Sequence, residues 1–393
     1  MRWNELAESA PGTLVPYDQR SYYKPDPLPP TRSLELDAPF YTTLSEATYW
    51  LGQLSGLSRE LDFQPLLYTS LLRKEAMESA AIEGADIDYN ALYSLETKQF
   101  DREANTDPAQ CLQRADGVKD TREVLNYEAA VTRGIDAIDQ GTSISEALLH
   151  ELHEVLLSNV PDERVERNTI GSYKQQPNHL GAFLPPAPGA VDGLMDALLA
   201  YWRAGGNYHP LIDIALFHYQ FETIHPNGDG NGRLGRLLIT LQLYEEGYLK
   251  RPNLYLSEYF NRNKAEYVDR MEAIRAEGDW EAWLQFFITG IAHQAEEAVD
   301  RTIELEDLRK RYEETYGGVN YTKHKVACSL FEQPYLTSKT VQQRFDVTPA
   351  TAMRAISDLV EEGLLEETTG KERNKEFRAR EIFEILERPP TTY

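Results

Sequence analysis

LIDIALFHYQFETIHPNGDGNGRLGRLLITLQLYEEGY, residues 211–248, decides how this chain is read. Apolar residues recur at three- and four-residue spacing on both sides of a glycine-rich centre. Two helices therefore flank a loop that feeds the N-terminus of the second. Within His225-Pro226-Asn227-Gly228-Asp229-Gly230-Asn231-Gly232-Arg233-Leu234-Gly235-Arg236, the glycines let backbone amides turn towards a ligand. Such a nest, joined to a helix dipole, takes a phosphate. Arg233 and Arg236, three residues apart on the first turn, are placed to grip further phosphates. Asp229 offers a hard oxygen for Mg²⁺, which takes few protein ligands beside phosphates and water. His225, at the loop mouth, is placed as a general base for a hydroxyl.

Helical periodicity extends outward from this centre. It covers LSEATYWLGQLSGLSREL (44–61), LLYTSLLRKEAMESAAIEG (66–84) and DGVKDTREVLNYEAAVTRGIDAID (116–139). It resumes in SISEALLHELHEVLLSN (143–159) and VDGLMDALLAYWRAG (191–205), then over 257–277 and about 280–316. Gly, Pro and Asn punctuate RNTIGSYKQQPNHLGAFLPPAPG (167–189), which predicts a hairpin. The Pro- and Tyr-rich stretch before residue 40 predicts an extended arm, and residues 85–115 a partly loop-like connector. After Gly317–Gly318, two short helices, a turn at Val347–Thr348–Pro349, a longer helix and a hairpin predict a winged helix-turn-helix. The fold class is all-α, a helical bundle with a small β-hairpin flap and a C-terminal winged helix. The divisions are 1–115, 116–300, a linker helix over 301–319, and 320–393.

The formal charge of −24 disfavours phosphate backbones and anionic membranes. Residues 320–393 hold 11 basic and 12 acidic residues, so a DNA contact is expected only there. Its basic wing, Lys371, Arg373, Lys375, Arg378 and Arg380, leaves DNA and protein recognition both open. Cys111 and Cys328 are too few for a disulfide framework or a thiolate metal site, and read as free thiols. His150, His153 and His179 read as structural, and zinc is not expected. No apolar run approaches the ~18 residues that span a bilayer, so the expectation is a soluble cytoplasmic protein.

The loop resembles the signature of Fic-domain enzymes, His-Pro-Phe-x-Asp/Glu-Gly-Asn-Gly-Arg-x-x-Arg, departing only in Asn227 where Phe is usual. Val124-Leu125-Asn126-Tyr127 resembles the family's upstream helix. Leu180, Gly181, Ala182 and Phe183, followed by Leu184-Pro185-Pro186, resemble its substrate-docking flap. Tyr267, Gly278-Asp279-Trp280 and Trp283 fit downstream. The resemblance implies transfer of AMP from ATP to a Ser, Thr or Tyr hydroxyl of a target protein, the chain itself included. It assigns His225 as catalytic base and Asp229 as the Mg²⁺ ligand. Gly228, Gly230, Asn231, Gly232, Arg233, Leu234, Gly235 and Arg236 become the phosphate site, and Tyr267 with Arg275 the adenosine site. Ser79-Ala80-Ala81-Ile82-Glu83-Gly84 resembles the inhibitory helix of self-restrained members, with Ser79, Glu83 and Gly84 placed against Arg236. Removal of AMP at the same site, and a DNA-binding regulator with a nucleotide-sensing body, stay open as alternatives. A homodimer is compatible with this reading.

Overall fold

Apolar residues recur around the whole circumference of the helical stretch 211–224, between Asp213, His218, Gln220 and Glu222, a pattern that fits a helix buried on all sides. A computed structural model describes residues 6–60, 65–85, 92, 119–158, 160, 169–206, 208–318 and 321–389. The chain divides into two compact units. One comprises Met1–Ser58, Leu72–Ala85 and Arg122–Glu296; the other comprises Arg59–Leu71, Asp86–Thr121 and Glu297–Tyr393. The connector over 85–115 and Cys111 lie outside the described residues apart from Ala85 and Leu92.

The first unit opens with strands β1 (Gly12–Tyr17) and β2 (Arg20–Pro25), paired antiparallel from Gly12↔Pro25 to Tyr17↔Arg20. Helices α1 (Ala38–Glu60), α2 (Pro65–Ile82) and α3 (Lys119–Asp139), each of which runs partly in the second unit, follow, then α4 (Glu146–Leu156). Next come α5 (Pro188–Ala204), α6 (Pro210–Ile224), α7 (Asn231–Glu245), α8 (Leu256–Arg262) and α9 (Lys264–Glu277). Helix α10 (Trp280–Tyr316) begins in this unit and belongs to the second from Glu297.

Helix α6 is buried from Leu211 to Ile224, and α7 from Asn231 to Leu243. Pro210 starts α6 at a position that needs no amide hydrogen. His225 ends α6 in the left-handed region, at φ 49°, and Pro226 cannot continue the helix. The Trp283 indole donates to the Ala215 carbonyl at 3.0 Å, tying α10 to the middle of α6.

Three expectations need correction. The hairpin expected over 167–189 reduces to one bridge, Leu180↔Phe183, because Pro177, Pro185 and Pro186 deny the segment a ladder of amides. The antiparallel hairpin of this unit instead lies at 12–25, where an extended arm was expected. Asp18 and Gln19 both take positive φ, 41° and 62°, the backbone of a two-residue hairpin turn. The stretch over 257–277 also breaks, at Asn263, into α8 and α9.

In the second unit, α11 (Thr322–Ser329), β3 (Tyr335–Thr337), α12 (Ser338–Phe345), α13 (Pro349–Glu361), β4 (Leu365–Glu367), β5 (Glu376–Ala379) and α14 (Arg380–Glu387) follow α10. The sheet order is β3-β5-β4, antiparallel throughout. Thr348 caps α13, its Oγ accepting from the Thr351 amide, with Pro349 at the first turn. Among the described residues no helix is long and apolar enough to cross a membrane.

Candidate active site

The end of α6, residues 225–230 and the start of α7 form one polar concavity in the first unit. His225 keeps Nδ1 without a hydrogen-bond partner among the described residues, 3.9 Å from Glu222 Oε2. Burial and then the nearby Lys174 ammonium lower its pKa to about 3, so the ring is neutral near pH 7 and able to take a proton. Burial pushes the neighbouring Glu222 carboxyl up to about 7.

Asn227 is buried and fully engaged. Its amide donates to Asn231 Oδ1 at 2.7 Å, and its carbonyl accepts from Asn231 Nδ2 and Asn178 Nδ2, each at 2.9 Å. Its own Nδ2 donates to the Ser172 carbonyl at 3.0 Å and lies 3.3 Å from His153 Nδ1. Hydrogen bonds thus hold the loop where an aromatic plug is usual. His153 adds support: Nε2 sits 3.0 Å from the Asp229 carbonyl, and Nδ1 accepts from the Gly171 amide at 3.0 Å. His150 packs edge-on against Tyr173, and His179 is exposed.

The residues expected to form a phosphate cradle differ in what they leave free. The Leu234 amide is spent on the Gly230 carbonyl at 3.0 Å, inside the helix. Gly235 lies against α6, where a Cβ would come 2.3 Å from Glu222 Oε1. The buried Asn231 side chain is engaged on both polar atoms by Asn227, so it shapes the loop from within. Gly228, Gly230 and Gly232 remain at the mouth; Gly230 starts α7 without any side-chain cap, which leaves the first amides for an anion. Arg233 is buried with Nε and Nη1 lacking hydrogen-bond acceptors among the described residues, although Nη1 lies 3.3 Å from Glu123 Oε2. Buried orphan donors beside uncapped amides fit a polyphosphate. The Asp229 carboxylate is half-buried, with Oδ1 accepting from the Gly230 amide at 2.7 Å. A single carboxylate of this kind fits Mg²⁺, which completes its shell from phosphates and water.

An anion of the chain's own already lies over this cradle. Arg236 Nη2 donates to Glu83 Oε1 at 2.8 Å and to the Ser79 carbonyl at 2.9 Å, while Nε donates to Ser79 Oγ at 2.8 Å. A Cβ on Gly232 would sit 2.2 Å from the same Glu83 oxygen. Glu83 follows the last residue of α2, and Gly84 turns the chain away at φ 96°. Burial alone would raise the Glu83 carboxyl, but the Arg236 guanidinium outweighs it and the pKa is lowered.

Tyr267 and Arg275 do not come together as an open purine pocket. Tyr267 is buried against Phe260, ring centroids 4.7 Å apart, with its hydroxyl 2.7 Å from His218 Nε2. Arg275 is buried too; Nε donates to Thr223 Oγ1 at 3.1 Å, and its guanidinium sits 4.2 Å above the Phe183 ring. It thereby anchors the flap, whose Leu184 carbonyl accepts from the Tyr23 amide at 2.9 Å. Sequence reading missed Glu222, Lys174, Asn178 and the supporting role of His153. Only Glu222, three residues before His225 on one helix, left a spacing that could have been noticed.

Comparison with known proteins defines the class. The Fic/DOC family N-terminal model matches residues 41–136 and the Fic/DOC family model residues 143–243, together half of the chain. The chain belongs to the Fic/DOC family. It is 27% identical over 192 residues to protein adenylyltransferase Fic of Culex quinquefasciatus, a match covering 48% of this chain and 34% of that protein. It is 30% identical over 134 residues to protein adenylyltransferase Fic of Drosophila virilis, covering 33% and 26%. The chain thus spans about a third of the length of the curated relatives it matches. In fold it is similar to a Fic family protein from Desulfovibrio desulfuricans G20, with TM-score 0.57 and 20% identity, over 90% of this chain and 98% of that one. It is also similar to Fic-1 of C. elegans, with TM-score 0.50 and 19% identity, over 69% and 74%.

Proposed function

We propose that this chain is a self-restrained protein adenylyltransferase, moving AMP from ATP to a hydroxyl side chain of a target protein. The observation that carries this reading is a neutral His225, its Nδ1 without a hydrogen-bond partner among the described residues, beside an uncapped helix N-terminus whose arginine is held by the chain's own Glu83. The target hydroxyl gives its proton to the His225 imidazole as its oxygen bonds to the α-phosphorus. The bond from that phosphorus to the bridging oxygen breaks, and pyrophosphate leaves. Amides of Gly228, Asn231 and Gly232 hold phosphate oxygens, and Arg233 and Arg236 face the outer phosphates. Asp229 would hold Mg²⁺, which supplies neutralisation of phosphate charge. Positioning and electrostatics of this kind suffice for phosphoryl-type transfer. The flap, Leu180 to Phe183, is the place for the target segment. The relatives named protein adenylyltransferase Fic support the reaction class. The order helix, strand, helix, helix, hairpin over residues 322–379 supports a winged helix, which we assign to recruitment of a protein.

Incubation with α-³²P-labelled ATP and cell lysate tests the reading. Glu83→Gly should label protein well above wild type, and His225→Ala in that background should label about 10²- to 10⁴-fold less, the usual contribution of a general base. Equal labelling with and without His225 would overturn the assignment.

A further inference from the structure

Segment 174–178 satisfies every backbone carbonyl from Ile224 to Asn227. Lys174 Nζ donates to the Ile224 carbonyl at 3.2 Å and the His225 carbonyl at 2.8 Å. The Lys174 amide donates to the Pro226 carbonyl at 2.8 Å. Asn178 Nδ2 donates to the carbonyls of His225 at 3.3 Å and Asn227 at 2.9 Å. Asn178 Oδ1 takes the third Lys174 donor, at 2.8 Å.

The Lys174 side chain is a costly way to fill space. It is 2% exposed and makes no ion pair among the described residues, and burial lowers its pKa to about 7. A methionine would occupy the same volume without desolvating a charge. What the ammonium adds is two donors aimed at the C-terminal end of α6, where the last carbonyls lack helical partners and the helix dipole favours a cation, and a third that holds Asn178 beside them. The residue at that end is His225 in the left-handed region, which a non-glycine residue keeps only when its surroundings over-determine it. The other charged groups acting on the imidazole are Glu83 and Arg275, with Glu222 closest at 3.9 Å, and none of these bonds the His225 backbone.

We propose that Lys174, with Asn178, is a positioning residue for His225, holding the left-handed turn that presents the imidazole at the loop mouth. This rests on the adenylyltransferase reading for its kinetic consequence but not for its geometry. The clamp lies directly before the flap in sequence, so the segment that meets the target is tied to the base that acts on it.

The test uses the full-length chain in the Glu83→Gly background. Lys174→Met should lower kcat by about tenfold to a hundredfold, the range for a misplaced reacting group. KM for ATP should stay within about threefold, because the phosphate cradle is untouched. Lys174→Arg, which keeps charge and several donors, should recover most of the loss. Labelling with ¹³C-histidine gives a readout independent of catalysis. The parent should show one sharp His225 ring signal, assigned by its loss in His225→Ala. That signal should broaden or split in Lys174→Met and sharpen again in Lys174→Arg. If Lys174→Met fails to fold, Asn178→Ala should show the same pattern more weakly. A parental kcat together with an unchanged His225 signal overturns the proposal. If the parent transfers no AMP, the functional reading falls, and the His225 signal alone decides the positioning role.

Discussion

Asn227 shows how one substitution in a family pattern is absorbed. Its amide group bonds Ser172 and approaches His153, so the loop is tied to the flap base and α4 by polar contacts. Phe there would overpack a buried site, at about 1–3 kcal/mol, and would leave the Ser172 carbonyl short of a donor. Asn227→Phe should therefore lower both the melting temperature and AMP transfer; a higher melting temperature would mean that the pocket already has room for the ring. Glu83 gives a second prediction at this scale. Because Arg236 holds its carboxyl below the ordinary range, the ion pair persists above that lowered pKa and is lost only as pH falls through it. The ratio of transfer by Glu83→Gly to transfer by wild type should then stay constant from about pH 8 down to about pH 5.5. A ratio falling towards one across that window would show that Arg236 does not fix the carboxylate.

At the scale of the element, the proposed restraint depends on how α2 is docked. Arg73 pairs with Glu128 at 2.7 Å and Lys74 with Glu258 at 3.0 Å. Glu75 accepts from the Ser257 amide at 2.8 Å, the Ser257 hydroxyl at 2.5 Å and the Tyr127 hydroxyl at 3.1 Å. Lys264 Nζ caps the Ile82 carbonyl at 2.6 Å, one residue before Glu83. Glu75→Ala would strand the buried Ser257 and Tyr127 donors, costing about 1–3 kcal/mol, and loosen the helix that aims Ser79 and Glu83. It should raise self-labelling above wild type but below Glu83→Gly. Destabilisation with no rise in labelling would mean that Arg236 alone keeps Glu83 in place. These anchors also mark the limit of what the sequence discloses. The spacing of Ser79 and Glu83, one helical turn apart, put them on a shared face, and the resemblance to an inhibitory helix pointed that face at Arg236, a contact that the structure has. The anchors pair residues up to 184 positions apart, Lys74 with Glu258, and no local period encodes such pairs. The hairpin at 12–25 was hidden for another reason. Pro16 sits opposite Ser21, where the ladder needs no amide hydrogen, so a residue that reads as a strand breaker is harmless.

At the scale of the whole molecule, charge decides what the second unit can recruit. The sequence shows a basic wing, but composition does not reveal which charges are already answered. In the structure Lys375 pairs with Glu367 at 2.8 Å, and Arg380 with Glu384 at 2.8 Å. Arg378 pairs with Glu366 at 2.5 Å and Glu387 at 2.9 Å. Lys371 and Arg373 remain exposed. Such surface pairs add little stability, yet they cancel the field that a phosphate backbone would feel. Helix α13, the second helix of the proposed helix-turn-helix and so the one that would enter a groove, carries one cation, Arg354, beside the exposed Met353 and Val360. An outer face that mixes exposed Met353 and Val360 with one cation, offset in charge by Asp358 and Glu361, suits a protein surface better than a phosphate one. With −24 overall, the chain lacks the surplus cations whose released counterions drive non-specific DNA binding. A fluorescent random-sequence duplex should therefore show no change in anisotropy with the full chain up to about 10 µM at about 0.15 M salt, conditions under which basic DNA-binding domains begin to bind. Arg354→Ala should leave that baseline where it is. Tight binding that weakens steeply with salt, and weakens again in Arg354→Ala, would reverse the assignment and make the second unit a DNA-reading domain.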